Sequence, residues 1–335
     1  MATQKEIVVS GIRPTGYLHL GNYFGAIRNY IRMQEEFNCY FFVADWHSLT
    51  THPDPKDLKG NVMRVLAENI ASGLDPEKVA LYAQSDIPEI PELYLLMNML
   101  AYVGELEKVP TFKDKVRLQP QNVNAGLLTY PVLMSVDILI QRAVKVPVGK
   151  DQGQHLEMAR NFAQRFNHRY GDLFPEPEAF NYGDGLVRIP SLDGKGKMSK
   201  SENELATLYL ADEDEKIIHK IKKAKTDSGS GEPGAPLPES VQNLLDLMKL
   251  VSAPEAVPFF EEQWNSTGAI RFGDLKGQLG EDMVKFISPI RERAKELQRD
   301  TNYLEKIMKA GAEKARANAA QTLQQARKLI GLNYY

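Results

Sequence analysis

Residues Pro14 to Asn22 read PTGYLHLGN, between an apolar run, EIVVSGI (6–12), and an amphipathic one, YFGAIRNYIRMQEEF (23–37). That order predicts a strand, a tight glycine-bearing turn and a helix. Such a corner offers backbone N–H groups and the positive end of a helix dipole, which suits phosphate. It is neither of the common phosphate loops, G-x-G-x-x-G or G-x-x-x-x-G-K-[ST]. His19 is the residue that needs explaining.

Working outward, the alternation continues. NCYFFVAD (38–45) reads as a second strand and VALYAQS (79–85) as a third. Between them PKDLKGNVMRVLAENIASGL (55–74) reads as a helix, with Pro55 near its start and Gly73 near its end. This order predicts an α/β fold with a doubly wound parallel sheet. Ligands in such sheets bind beyond the carboxyl ends of the strands. The positions to watch are therefore Arg13 to Asn22, Asp45 to His47 and Gln84 to Asp86.

After VRIPSLDGKGKMSKS (187–201) the texture changes to mostly helical, broken by the Gly/Ser/Pro loop TDSGSGEPGAPLPES (226–240). ADEDEKIIHKIKKAK (211–225) carries acids first and bases last, matching a helix dipole. Its lysines, Lys216, Lys220, Lys222, Lys223 and Lys225, form a basic helical face for which plain solvated surface stands beside a nucleic-acid contact, and no such contact is assigned to them from sequence. The chain ends in two long amphipathic helices. Two domains are expected, 1–202 and 203–335, the last helix being a candidate to pack back on the first.

With 335 residues, 43% hydrophobic and 25% charged, the chain has ordinary globular composition. A net charge of −3 argues against wholesale wrapping by nucleic acid, though not against a local basic face. The single cysteine, Cys39, excludes disulfide frameworks and cysteine-based zinc or iron–sulfur sites. In CYFFVA it reads as a buried structural thiol. No signal region opens the sequence and no run reaches membrane-spanning length, so a cytoplasmic protein with no membrane partner is expected.

Alone, HLGN is a turn histidine followed by a helix-capping asparagine. KMSKS (197–201) alone is a charged turn. Together they share a chemical logic. When a carboxylate attacks the α-phosphorus of ATP and expels pyrophosphate, charge develops on phosphate oxygens and leaving group. Histidine and asparagine donors at a helix start can meet the first, and lysines on a mobile loop the second. No protein nucleophile is required.

HLGN with KMSKS resembles the two signatures of class I aminoacyl-tRNA synthetases. SGIRPTGYLHLGNYFGAI, CYFFVADWHSLT, GLLTYPVLMSVDIL and VPVGKDQGQH are similar to the bacterial tryptophanyl-tRNA synthetases, over essentially the whole chain. The resemblance implies a Rossmann-type catalytic domain and a helical domain that reads the tRNA anticodon. It implies that Arg13, Pro14, Thr15, Gly21 and Asn22 contact ATP beside His19. Gly149, Lys150 and Asp151 match a loop at the ribose, and Ile189 a position flanking adenine. Lys197, Met198, Ser199, Lys200 and Ser201 match the pyrophosphate loop; His19, Asn22, Lys197, Lys200 and Ser201 carry the catalytic roles. Two positions depart from the family: Arg13 is often glutamine there and Lys150 often glutamate, which moves the ribose contact to Asp151.

Tyr130, Met134 and Asp137 stand at i, i+4 and i+7, one face of a helix. Tyr130 and Met134 alone could be core. Asp137 resists that reading, because an unpartnered carboxylate on an apolar face costs several kcal/mol. By resemblance Asp137 accepts the indole N–H of tryptophan, with Met134, Val146 and Val148 against the ring. Tyr130 and Gln152 would hold the α-amino group. His47 is near the family's substrate pocket, though a structural loop histidine is as good a reading. Tyrosine-specific relatives share the i, i+7 pair, but typically have glutamine at i+4 and a tyrosine at the position of Val9. No metal site is expected, and Mg²⁺ would arrive with ATP. The resemblance also implies a homodimer, with the apolar run IPELYLLMNMLAYVGELEKV (90–109) as partial support. Rival readings are a tyrosine-specific enzyme, a small adenylyltransferase, which leaves KMSKS unexplained, and a non-catalytic RNA-binding paralogue.

Overall fold

The computed structural model describes residues 5–118, 120–149, 153–182, 189–199, 203–226 and 231–334. The described residues form five strands: β1 (Ile7–Ile12), β2 (Asn38–Val43), β3 (Ala80–Ala83), β4 (Lys145–Val146) and β5 (Glu178–Ala179). All pair in parallel, in the order β3-β2-β1-β4-β5. In register, Ile7 faces Asn38 and Ile12 faces Val43. The chain lays β2 and β3 on one side of β1, then β4 and β5 on the other. The strand order thus reverses between β1 and β4, where open α/β sheets form a ligand crevice.

The helices are α1 (Leu20–Asn22), α2 (Arg28–Glu36), α3 (Asp45–Ser48), α4 (Pro55–Ala71), α5 (Glu89–Asn98), α6 (Val103–Leu106), α7 (Pro110–Leu118), α8 (Ala125–Ile140) and α9 (Gly153–Tyr170). Then follow α10 (Asp214–Lys223), α11 (Glu239–Val251), α12 (Ala256–Thr267), α13 (Phe272–Arg299) and α14 (Thr301–Ile330). The helix expected from Tyr23 opens with a π turn over Tyr23–Ile27 before α2. Punctuation of α4 is as its sequence requires: Asp54 caps the Lys56 N–H at 2.9 Å, Pro55 is the first residue, and Gly73 turns away at φ 119°. The run 90–109 is two helices, α5 and α6, separated by a turn.

The chain separates into two compact units. One comprises residues 1–16, 29–185 and 300–335; the other comprises 17–28 and 186–299. The first holds the sheet and a core of Val9, Tyr40, Tyr82, Leu93, Val136 and Phe162, joined by Ala312, Ala315 and Ala319 of α14. α14 meets β3 so closely that a Cβ at Gly311 would lie 2.0 Å from the Leu81 carbonyl oxygen. Only glycine fits there. Cys39 is fully buried, which pushes its thiol up to about 12.

In the second unit α10 and α13 are joined by Arg291, which donates to the Asp212 carbonyl and the Asp214 carboxylate, both at 2.8 Å. Phe24 stacks on Phe286 with centroids 5.3 Å apart. Lys220 does not belong to the exposed basic face of α10, whether solvated or ligand-binding. It lies at 0% exposure beside Ile217 and Ile221, because the i, i+3, i+4 spacing puts all three on the buried stripe.

Candidate functional site

The first unit contains a cavity of about 390 Å³ at the switch between β1 and β4. Its size is in the range of small-molecule sites. Val9 of β1, Val146 of β4, Val148 and Met134 give it apolar walls, while Asp137, His47 and Tyr130 bring polar atoms to it. α8 supplies Tyr130, Met134 and Asp137 from one face, as their spacing requires. Asn124 starts that helix by accepting the Leu127 N–H at 2.9 Å.

Asp137 is 3% exposed. Gln84, fully buried just past β3, directs Nε2 at both carboxylate oxygens, 2.8 Å from Oδ1 and 2.9 Å from Oδ2. His47 Nε2 lies 2.9 Å from Oδ2. Burial holds the carboxyl above its ordinary range, opposed by the hydrogen bonds from His47 and Gln84. A carboxylate has about four acceptor sites, so an approaching N–H can still be accepted. Elsewhere in the cavity the Tyr130 hydroxyl and His155 Nε2 are 2.5 Å apart. Arg13 also lines the cavity, and burial lowers its guanidinium from the ordinary arginine range.

The two signature sequences are joined within the second unit. Asn22 Oδ1 accepts the His19 backbone N–H at 3.0 Å. His19 pairs with Tyr209 in an antiparallel bridge and is 8% exposed. Met198 is buried and donates its N–H to the Ile189 carbonyl at 2.6 Å, while Lys197 and Ser199 are exposed. A Cβ at Gly21 would lie 2.8 Å from the His19 ring and 3.2 Å from the Met198 carbonyl oxygen. Glycine at 21 therefore permits HLGN and KMSKS to touch.

A family model described as tRNA synthetases class I (W and Y) matches residues 1–256. Over 327 residues the chain is 56% identical to a tryptophan–tRNA ligase of Porphyromonas gingivalis, covering 97% of this chain and 99% of the relative. The chain belongs to the tryptophan–tRNA ligases. A second such ligase, from Rickettsia bellii, is 42% identical over 332 residues, covering 98% and 99% of the two chains. The crystal structure of a Campylobacter jejuni tryptophanyl-tRNA synthetase, complexed with ADP and tryptophan, superposes with a TM-score of 0.84 at 33% identity, covering 97% of this chain and 99% of that one.

This ATP-dependent aminoacyl-tRNA ligase thus brings Val9, His47, Tyr130, Met134, Asp137, Val146, Val148 and Gly149 to one cavity. Arg13 is among its lining residues; Pro14 is buried, and Thr15 is exposed in the turn that follows. His19, Gly21, Asn22, Ile189, Lys197, Met198 and Ser199 lie in the other unit. Lys150, Asp151, Gln152, Lys200 and Ser201 lie outside the described residues. Gln84 and His155 are the partners sequence reasoning did not assign. Only its place past a strand end marks Gln84 in the sequence, and nothing in the sequence of α9 marks His155.

Proposed function

We propose that this ligase activates tryptophan in the β1/β4 cavity. The observation that carries the reading is Asp137, a buried carboxylate held by Gln84 and His47 and facing apolar walls. An indole matches that arrangement with one N–H donor and a large apolar ring. A carboxylate oxygen of the bound amino acid attacks the α-phosphorus of ATP. The new O–P bond replaces the bond to pyrophosphate, which leaves. A hydroxyl oxygen of tRNA(Trp) then attacks the acyl carbon of the adenylate. The new ester C–O bond replaces the C–O bond to the phosphate, AMP leaves, and the hydroxyl proton passes to the phosphate or to solvent. ATP–pyrophosphate exchange measured with each amino acid tests this: exchange with tryptophan alone is expected, and exchange only with another amino acid would overturn it.

His19, Asn22 and Lys197, with Lys200 and Ser201 by sequence, serve as phosphate-facing donors in this reading. Arg13, Pro14, Thr15, Gly21, Gly149, Lys150, Asp151, Ile189, Met198 and Ser199 complete the nucleotide contacts, and Gln152 joins Tyr130 at the amino group. ADP and tryptophan in the C. jejuni complex support a paired nucleotide and amino-acid site. Among the described residues no group of three or more His, Cys, Asp or Glu could hold a metal ion. In this reading Mg²⁺ enters with the nucleotide, held mainly by the phosphates, as part of the substrate.

The helical residues 203–299 carry tRNA anticodon recognition in this proposal, with α14 completing the catalytic part. A homodimer is proposed through α5, α6 and the turn between them, where Leu95 of α5 and Met99 of the turn are 56% and 72% exposed. Light scattering distinguishes the dimer from the 37.7 kDa monomer. We propose that the ligase works in the cytoplasm. No described helix is long and apolar enough to cross a membrane.

A further inference from the structure

We propose that Lys220 is a positioning residue for adenylate formation, acting through the segment 207–212 on both signature sequences. The inference rests on the reading of HLGN and KMSKS as the ATP-facing elements. Lys220 Nζ donates to the Thr207 carbonyl at 2.8 Å and to Asp212 Oδ2 at 2.6 Å, and lies 4.9 Å from the centroid of the Tyr209 ring. The same Asp212 oxygen accepts the Tyr209 N–H at 2.9 Å. One ammonium and one carboxylate therefore clamp the backbone from Thr207 to Asp212.

The clamped segment holds both signatures. Leu210 N–H donates to the Leu18 carbonyl at 2.8 Å and Leu20 N–H to the Leu208 carbonyl at 3.0 Å, bracketing His19. The Thr207 hydroxyl donates to the Ser199 carbonyl at 2.6 Å, inside KMSKS. Thr207, Leu208 and Leu210 are all buried, so the segment has no slack toward solvent.

A purely stabilising role is the bland alternative. Buried ion pairs are poor stabilisers, because desolvation offsets most of their attraction and apolar replacements are often neutral. What an ion pair adds is direction. The ammonium fixes where the Thr207 carbonyl points, and with it the distance between the His19 bridge and the Ser199 anchor. Donors that must meet developing charge tolerate little displacement, since a shift of about 1 Å can slow a reaction roughly a hundredfold.

The test uses two variants of the full-length enzyme. Asp212→Asn/Lys220→Met removes both charges together and keeps an amide oxygen for the Tyr209 N–H. Thr207→Val removes only the hydroxyl that anchors Ser199. Thermal unfolding, tryptophan Kd and exchange kinetics are measured for both, with Lys197→Ala alongside. Tryptophan Kd and KM are expected within about twofold of wild type, because the cavity residues are untouched. The kcat for exchange is expected to fall roughly tenfold or more in the double variant and severalfold in Thr207→Val. If the double variant does not fold, Thr207→Val decides by the same readings. Slow exchange in Lys197→Ala with kcat within about twofold of wild type in both variants overturns the positioning role alone. Wild-type exchange in Lys197→Ala overturns the ATP reading beneath it.

Discussion

Gln84 sets one amide nitrogen against both oxygens of Asp137, at 2.8 and 2.9 Å, with both residues buried. The geometry fixes the amide orientation, since its oxygen facing the carboxylate would repel it. Gln84→Met keeps the shape and removes the donor. Asp137 then loses a hydrogen bond to its charged form, worth about 1.5–3 kcal/mol. Tryptophan affinity at neutral pH is expected to fall by roughly tenfold, read by isothermal titration. The preference for tryptophan over its 1-methyl analogue should narrow, because the analogue has no indole N–H to donate to Asp137. Unchanged affinity and preference would remove Gln84 from recognition.

Burial raises the Asp137 carboxyl above its ordinary value of 3.8. In the free enzyme its neutral form is thus relatively favoured, and its contribution to stability declines as pH rises through the raised value. A bound indole N–H favours the ionised form and lowers that value again. Tryptophan affinity should therefore weaken as pH falls into the window above 3.8, with a proton released on binding there. Titrations in buffers of different ionisation enthalpy count that proton. Asp137→Asn should bind weakly and lose this dependence. A wild-type affinity flat down to acid unfolding would sink the assignment.

How much of this was legible in sequence follows from the range of the forces involved. Asp137 is legible because one helix carries it on an apolar face, a local pattern. Gln84 is 53 residues away, and only the sheet brings the two together. The strands β4 and β5 pair over two residues each, too short for any periodicity to register. A helical lysine normally reads as surface, yet Ile217 and Ile221 at i−3 and i+1 place Lys220 on the buried stripe. The partner that makes burial tolerable, Asp212, lies eight residues earlier, before the helix begins.

Lys197 is exposed at the edge of the second signature. If it meets charge that develops only on the leaving pyrophosphate, its loss acts on the rate and not on nucleotide binding. Removing one such donor costs on the order of 3 kcal/mol, about a hundredfold. Lys197→Ala is expected to lower kcat for exchange by that factor with little change in the KM for ATP. A raised KM at constant kcat would make it an ordinary binding lysine.

Gly311 tests the docking of α14 on β3. Alanine there must displace the Leu81 backbone, because its Cβ would lie 2.0 Å from the carbonyl oxygen and 2.6 Å from the carbonyl carbon. Backbone cannot rotate aside as a side chain can. Overpacking of this kind costs roughly 1–3 kcal/mol. Gly311→Ala should lower the unfolding midpoint by several degrees in calorimetry, whereas Gly273→Ala, with nothing within 4 Å, should not. Equal midpoints for the two variants would mean that α14 does not lie against β3 as described.

The choice between tryptophan and tyrosine rests on the walls, since Asp137 could accept from either an indole N–H or a phenol O–H. A phenol oxygen also carries lone pairs that need donors. Val9, Met134, Val146 and Val148 line the cavity with aliphatic or thioether surface. Leaving a buried hydroxyl partly unsatisfied costs about 1–3 kcal/mol. The smaller ring also gives up apolar contact, at about 25 cal/mol per Å². Together these predict a preference for tryptophan of roughly a hundredfold or more in kcat/KM for exchange. Met134→Gln adds a polar group beside Asp137 and desolvates it in an apolar wall. It should cost tryptophan at least about tenfold while costing tyrosine little, narrowing the ratio from both sides. A Met134→Gln enzyme with the wild-type ratio would show that discrimination resides elsewhere in the cavity.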